Sequence, residues 1–368
     1  MRTQINLRDE YNKFMKMIMN FENFAFMRNA DGELAIMEGR AVSAQEGNWS
    51  SPACVSNLGK AIKESLTLDA ENVYYAVSCP CCDRRAYYWY LQNVANVKNV
   101  TFANLWINNN FDRFQKDFPQ IKRDAIVIIN YRANKVQIGN LNILDYYLIS
   151  DDCISFWENE AKEMLDKIKE EYGNRNNLLV VVSAGPMSGP IIADLYKYNP
   201  NNTYVDFGSS IDIYYREGIT RPYMVSGNIY ADRNCKMYHP EYFIENREEI
   251  LKTYDTRIKK MQENFEELFL QKIPIYIYGN GKIASEVIKK LGENNKKIKG
   301  IVITKADENE TQIIDINTLN HMSGMKLVIL ALDEKWHEEI RENLADSVKI
   351  FPEKEAEYDY QDFLAYYA

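Results

Sequence analysis

Short apolar runs alternate with segments of helical periodicity through the first 235 residues of the chain. The runs predict buried strands at residues 23–27, 73–77, 100–106, 125–130, 178–183 and 203–207. Apolar residues recur at helical spacing in the segments 52–66, 83–93, 111–118 and 156–172. This alternation is typical of an α/β domain, in which helices cover a parallel sheet.

The same pattern returns on a smaller scale near the end of the chain. It predicts strands at 273–278, 298–303 and 326–330 and helices at 282–291 and 334–344. A charged segment, 241–270, contains neither Gly nor Pro and predicts one long helix before this region. We therefore predict a Rossmann-like parallel-sheet domain at 1–235, a linking helix at 236–270, and a smaller Rossmann-like domain at 271–368.

Composition and charge narrow the class of protein. Hydrophobic residues make up 46% of the chain and charged residues 26%, as in ordinary globular proteins. The formal net charge of −9 argues against a nucleic-acid partner. No apolar run approaches the roughly 18 residues of a membrane span, and the N-terminal residues are too charged for a secretory signal. We expect a cytoplasmic protein without an integral membrane segment.

The cysteines do not suggest a disulfide framework or a zinc site. Three of the six are clustered at Cys79, Cys81 and Cys82. A structural zinc site needs a second pair of ligands, and the sequence contains none at suitable spacing. The three histidines, His239, His321 and His337, lie far from this cluster along the chain. We expect the cluster to hold neither a metal ion nor a disulfide.

The strongest candidate for chemistry is an acidic motif directly after the first predicted strand. Arg28 is followed by Asp31, Gly32 and Glu33, so two carboxylates fall at the end of a strand, where open α/β sheets bind ligands. Carboxylate oxygens suit Mg²⁺ or Mn²⁺, which can bridge a diphosphate, and Arg28 can contact the phosphates. A solvated Asp-Gly turn is the alternative interpretation.

Two further strand ends carry candidate groups. Ser183, Gly185 and Pro186 form a small-residue turn before a helix, where backbone N–H groups can meet an anion. Asp206 and Asp212 follow the strand 203–207, and either can serve as a general base or complete a metal shell. Helix capping explains these two carboxylates equally well.

Taken together, the segments at residues 21–215 resemble the GT-D-type glycosyltransferases, a bacterial family first known as a domain of unknown function. The resemblance rests on the Arg28 to Glu33 motif, Gln45, the Asn- and aromatic-rich segment 102–114, the turn at Gly185 and the element from Asp206 to Asp212. Two positions depart from the family pattern. Ala30 stands where Gly is more frequent, and Ser209-Ser210 stands where many members have His.

The resemblance implies a metal-dependent transfer of a sugar from a nucleotide-diphosphate donor, with a UDP-sugar as the first candidate, to a hydroxyl of a glycan or protein-glycan acceptor. Asp31 and Glu33 would hold Mn²⁺ or Mg²⁺. The donor would be bound by Arg28, Gln45, Ser183, Gly185 and Pro186, and Asp206 or Asp212 would deprotonate the acceptor. A homo-oligomer is compatible with this interpretation.

A glycine turn in the C-terminal region supports a different function. Gly279-Asn280-Gly281 followed by Ala284 matches the opening of a dinucleotide fingerprint. The next acid, Asp307, comes later than a ribose-binding residue should, and the unit is too short for a complete dinucleotide-binding fold with its own substrate domain. The alternatives to a glycosyltransferase are thus an NAD(P)-linked oxidoreductase that uses this turn, or a non-catalytic nucleotide- or sugar-binding module.

Overall fold

The computed structural model describes residues 6–40, 42–44, 47–48, 57–80, 83–218, 221–225, 247–293, 296–305, 313–332 and 336–352. The chain divides into two compact units, Met1–Glu249 and Ile250–Ala368. One parallel sheet lies in each unit, which confirms the predicted α/β class and the Rossmann-like parallel sheets.

The strands of the first unit are β1 (Ala25–Asn29), β2 (Ser43–Ala44), β3 (Gly47–Asn48), β4 (Val73–Val77), β5 (Val100–Phe102), β6 (Asp124–Asn130), β7 (Asn142–Ile149), β8 (Leu179–Ser183) and β9 (Thr203–Asp206). Its helices are α1 (Leu7–Met19), α2 (Asp31–Met37), α3 (Asn57–Ser65), α4 (Arg84–Asn93), α5 (Phe111–Asp117), α6 (Cys153–Asn159), α7 (Ala161–Tyr172), α8 (Ser188–Tyr198) and α9 (Asp212–Tyr215). The long helix α10 (Arg247–Leu270) begins at the end of this unit.

Seven strands form the first sheet in the order β5-β4-β1-β9-β8-β6-β7, and every neighbouring pair is parallel. Strands such as β8 and β9 are buried almost throughout, because helices cover both faces of the sheet. A short antiparallel pair, β2 and β3, lies outside the sheet. Because all seven strands run the same way, their carboxyl ends meet along one edge.

Helix α1 and an aromatic cluster build the core on one side of this sheet. Tyr11 and Phe14 of α1 are fully buried and stand among rings from distant segments. Trp106 has its ring centroid 5.3 Å from that of Phe26 and 5.2 Å from that of Phe207. The cluster thereby ties β1 to the residues that follow β5 and β9.

The structure differs from the predicted elements in several places, three of which concern the first sheet and the helix before β8. The third predicted strand ends at Phe102, because residues 103–106 turn away from the sheet. The predicted helix 156–172 is two helices, α6 and α7, with a break at Glu160. Strand β7 was missed, because its half-buried edge position does not require a continuous apolar run.

The second unit has strands β10 (Ile275–Tyr278), β11 (Gly300–Ile303), β12 (Ile313–Asp315), β13 (Lys326–Leu330) and β14 (Val348–Phe351) and helices α11 (Lys282–Glu293), α12 (Ile316–His321) and α13 (His337–Asn343). The strands are all parallel in the order β12-β11-β10-β13-β14. Alternate residues of β10 point to opposite faces, with Ile277 in one apolar cluster and Tyr278 in the other.

The helix that the sequence assigned to a linking segment contributes to the core of the second unit. Met261, Phe265 and Leu268 of α10 pack with β10 and α11. Residues 236–246, at the start of the predicted linking helix, lie outside the described residues. Within the part of the chain that is described, no helix combines the length and apolar character that crossing a bilayer requires.

Candidate functional site

A cavity of about 480 Å³ lies at the carboxyl ends of strands β1, β6, β7, β8 and β9. Its polar lining residues come from segments that are distant along the chain: Arg28, Asp31, Glu33, Asn130, Ser150, Asp151, Ser183, Asp206, Ser209, Asp212, Arg216, Arg221 and Tyr223. This volume is in the range of small-molecule sites, and the position is where open α/β sheets bind ligands.

The acidic motif forms the first turn of helix α2, where the sequence suggested only a polar turn. Ala30 is the N-cap residue, and its N–H donates to Glu33 Oε2 at 2.8 Å. Tyr90 donates its hydroxyl to the carbonyl of Ala30, also at 2.8 Å. Glu33 stands at the third helical position, so its carboxylate supplies the half of a capping box that accepts from the N-cap N–H.

The two carboxylates of this motif differ in their surroundings. Asp31 is exposed, whereas Glu33 is half-buried against the cavity. Burial raises the pKa of Glu33, and the charge of Asp31 raises it further. The Ala30 amide and the Arg28 guanidinium act in the opposite direction and lower this pKa. A cation bound at this point would stabilise the ionised form of Glu33, which burial and the neighbouring negative charge disfavour.

Arg28 is held in place by backbone and glycine contacts. Its Nε donates to the carbonyl of Ala103 at 2.7 Å. Gly208 has a φ of +51°, and a Cβ at this position would stand 1.7 Å from Arg28 Nη1. Only glycine satisfies both the left-handed backbone and the close approach of the guanidinium.

Asp206 is a buried carboxylate that faces the same guanidinium. Burial raises its pKa to about 7; the charge of Glu33 contributes to this rise, and Arg28 opposes it. The Gly208 N–H donates to Asp206 Oδ1 at 2.9 Å, and the Ser188 hydroxyl also donates to this carboxylate. A carboxylate with a pKa near neutrality is suited to accept a proton at physiological pH.

The remaining predicted residues have different positions relative to the cavity. Ser183 and Gly185 line it, and Gly185 has a φ of +55°. Pro186 is buried in the turn that follows and does not line it. Asp212 lines the cavity, with its Oδ2 3.7 Å from Arg216 Nη1. Gln45 lies outside the described residues.

The cavity also includes residues that the sequence did not suggest. Asn130 and Asp151, at the ends of β6 and β7, are joined by a 2.7 Å hydrogen bond from Asn130 Nδ2. Arg216, Arg221 and Tyr223 come from the segment after β9. Asn130 and Asp151 could have been found as polar residues at the ends of strands. For Asp151, however, strand β7 would first have had to be predicted.

The donor set fits a divalent ion that is shared with a phosphate. Mg²⁺ and ions like it are commonly held by one or two carboxylates together with substrate oxygens and water. Asp31 and Glu33 supply two carboxylates at one point of the cavity. Among the described residues no group of three or more His, Cys, Asp or Glu side chains is arranged to hold a metal by itself.

The other residues singled out in the sequence are the cysteine cluster around Cys79, His239, Asp307 and the glycine turn at Gly279. Cys79 is buried, while Cys81 and Cys82 fall outside the described residues, so the prediction about the cluster stays a prediction. His239 and Asp307 also fall outside them. In the second unit, Gly279 has a φ of +122°, and a Cβ there would stand 2.7 Å from the carbonyl oxygen of Ala331.

Comparison with known proteins gives a limited result. No protein-family model matches the chain, and no curated protein matches it. Among solved structures, the chain is similar to the domain of unknown function 1792, which is described as highly conserved and as having a distinct glycosyltransferase fold. The similarity has a TM-score of 0.39 and 13% sequence identity, and it covers 54% of this chain and 76% of that one.

Proposed function

We propose that the protein is a metal-dependent glycosyltransferase that moves a sugar from a nucleotide-diphosphate sugar to a hydroxyl of a glycan or protein-glycan acceptor. The observation that carries the proposal is the cavity at the carboxyl edge of the first sheet, where five acidic and three arginine side chains are combined. Acids and arginines in one cavity suit a ligand that brings both a diphosphate and a divalent ion. The order of motifs that resembles the GT-D family supports the same activity.

The proposed reaction has a simple balance. The bond between the anomeric carbon and the diphosphate oxygen breaks, and its electron pair leaves with the nucleoside diphosphate. A new bond forms between that carbon and the acceptor oxygen, while the hydroxyl proton passes to a carboxylate. Asp206 is the better candidate for this base, because a pKa of about 7 suits a group that exchanges a proton near neutral pH.

Asp31 and Glu33 would hold Mn²⁺ or Mg²⁺ in this proposal. When bound, the ion supplies positive charge that neutralises the leaving diphosphate. The protein's own contribution is to keep both carboxylates at the start of α2, where Glu33 is fixed by its hydrogen bond from Ala30. A UDP-sugar is the first donor to test.

The proposal is tested with Asp31→Asn and Glu33→Gln. Melting temperature and donor hydrolysis are measured with UDP-, GDP- and CMP-sugars, with and without Mn²⁺. We expect both variants to melt no lower than the parent without ligand, because each removes a repelling charge and Gln can still accept from Ala30. They should lose the stabilisation by Mn²⁺ with donor, and turnover should fall by at least about a hundredfold.

Matched controls come from other helix starts. Asp9→Asn and Glu163→Gln change exposed acids in the first turns of α1 and α7 and should behave as the parent. If the parent responds to none of the sugar nucleotides, the proposed function is wrong. If Asp31→Asn and Glu33→Gln respond as the parent does, these carboxylates do not hold the ion.

A further inference from the structure

The Arg28 guanidinium of the cavity is held by several groups of the first unit. Arg28 donates to Ala103, contacts Gly208, and interacts with the carboxylates of Glu33 and Asp206. Its charge is therefore balanced by two carboxylates, and its position is fixed by the fold. An incoming diphosphate would compete with both carboxylates for this guanidinium.

The turn at Gly185 offers few donors to an anion. Ala184 N–H donates to Ser188 Oγ at 3.1 Å, and Met187 N–H donates to the carbonyl of Ala184 at 3.2 Å. Pro186 has no N–H. The Ser188 hydroxyl at the start of α8 already donates to the carboxylate of Asp206. A second anion here would meet that carboxylate, which is unfavourable when it is ionised.

Arg216 and Arg221 line the cavity on the segment that follows α9. The Arg216 side chain is 15% exposed, and its Nη1 lies 3.7 Å from Asp212 Oδ2. The Arg216 N–H donates to the Asp212 carbonyl at 2.7 Å, so the backbone at this point is fixed. The 3.7 Å between Arg216 and Asp212 is longer than a close charge-assisted hydrogen bond. The Arg216 guanidinium can therefore also pair with phosphate oxygens.

Tyr223 completes a polar group beside the two arginines. Its hydroxyl lies 2.6 Å from Ser209 Oγ, and it lines the same cavity. The charges of Arg28, Arg221 and Asp212 all act on this hydroxyl, which places it among the arginines of the cavity. A phenol at this position can donate to an anion that the guanidinium groups hold.

We infer that Arg216, Arg221 and Tyr223 form the subsite that takes the diphosphate of a nucleoside diphosphate. This inference rests on the proposed function and assigns the diphosphate to the segment after β9, in place of Arg28 and the Gly185 turn. Guanidinium groups pair with phosphate oxygens through two parallel hydrogen bonds, which fixes orientation as well as affinity. Arg28 is then a residue that positions the carboxylates of Glu33 and Asp206.

The subsite is tested by calorimetric titration of the full chain with inorganic pyrophosphate, UDP and uridine. Arg216→Gln and Arg221→Gln should each raise the Kd for pyrophosphate and UDP by about tenfold or more, since each removes a charged pairing. Tyr223→Phe should raise both constants severalfold. Uridine binding should not change, because it carries no phosphate.

Arg175→Gln is the matched control, since Arg175 Nη1 also lies 3.7 Å from an aspartate oxygen, that of Asp124, but away from the cavity. Circular dichroism and melting check the fold, and Arg216→Lys, which keeps the charge, should lose less affinity than Arg216→Gln.

Equal binding of UDP and pyrophosphate by the parent and both glutamine variants overturns the inference and leaves the proposed function standing. Failure of the parent to bind either compound also overturns it. Arginine-dependent binding without any transfer or hydrolysis of a sugar nucleotide supports the subsite and contradicts the proposed function.

Discussion

Asp206 shows how burial at a single residue can set a chemical property. It is 4% exposed, and its two described hydrogen-bond donors, the Gly208 N–H and the Ser188 hydroxyl, do not offset the loss of water. Its pKa is therefore raised to about 7 although Arg28 stands nearby. Ionisation of this carboxylate therefore lowers the unfolding free energy of the chain.

The stability of the protein should consequently respond to Asp206→Asn in a pH-dependent way. Below about pH 4 the aspartate is protonated in both the folded and the unfolded chain, and its ionisation costs nothing. Between that pH and about 7 the unfolded chain loses the proton first, so the parent loses stability as pH rises. We expect urea denaturation to show the variant more stable than the parent at pH 8, with the difference shrinking towards pH 4.

The same substitution should remove activity if Asp206 is the base. In the parent, the rate should rise with an apparent pKa near 7. Exposed Asp9→Asn serves as the control for both measurements. Stability curves of parent and Asp206→Asn that run parallel over the whole pH range would show that this carboxyl titrates normally.

Gly208 gives a second prediction at the scale of one residue. Gly208→Ala should displace Arg28 in addition to straining a backbone with φ of +51°, because the new Cβ would meet Arg28 Nη1. Gly39→Ala is the matched control, since its φ is +72° but nothing lies within 4 Å of an added Cβ. We expect about 1 kcal/mol of lost unfolding free energy for Gly39→Ala and at least about 2 kcal/mol for Gly208→Ala.

Chemical denaturation of the two glycine variants measures the difference. Similar losses of unfolding free energy for both variants would mean that the Arg28 side chain moves aside without cost. The contacts of Arg28 with Ala103 and Gly208 would then not fix its position.

Helix α2 combines a structural and a proposed chemical role in its first turn. Glu33 accepts from the Ala30 N–H, and the same carboxylate lines the cavity. Alanine adds no side-chain acceptor at the N-cap position, so the hydrogen bond to Glu33 is the capping contact that this helix start retains. The two roles can be separated because glutamine preserves the acceptor but removes the charge.

We expect Glu33→Ala to lower the unfolding free energy by about 1 kcal/mol, the usual cost of losing a helix cap, while Glu33→Gln stays close to the parent. Thermal melts without ligand measure this difference. Glu163→Ala, in the first turn of α7, controls for helix propensity at an exposed site. If Glu33→Ala and Glu33→Gln melt together, the hydrogen bond to Ala30 does not stabilise the helix.

At the scale of the elements, buried strands were predicted more accurately from the sequence than partly exposed ones. Strands β4, β6, β8 and β13 lie within two residues of their predicted limits, because continuous apolar runs mark strands that are covered on both faces. Edge strand β7 and the short strands β12 and β14 were missed. Their partly exposed positions tolerate polar residues, so the apolar pattern that marks a central strand is weaker there.

In the whole molecule, two parallel sheets are built in succession along one chain. The described residues of the acidic cavity belong to the first unit, and the glycine turn at Gly279 belongs to the second. The oxidoreductase alternative depends on that turn and needs an acid to bind the ribose. The described residues directly after β11, Thr304 and Lys305, supply none. The oxidoreductase function stays a prediction. Assays of sugar-nucleotide turnover and of NAD(P)H oxidation distinguish it from the glycosyltransferase function.

The sequence alone determined the α/β class and the motifs at strand ends, because apolar periodicity and strand-terminal polar residues are local properties. Arg28, Asp31, Glu33, Asp206 and Asp212 could be singled out in this way, and they line one cavity. The order of the strands brought them together, since β1 pairs with β9 although most of the first unit separates them in the chain. Tertiary structure also decided which charged groups meet: Arg28 lies against Gly208 and two carboxylates, Arg216 lies 3.7 Å from Asp212, and Arg221 lines the same cavity. Charge balance depends on distances between residues remote in sequence, and no local pattern encodes those distances.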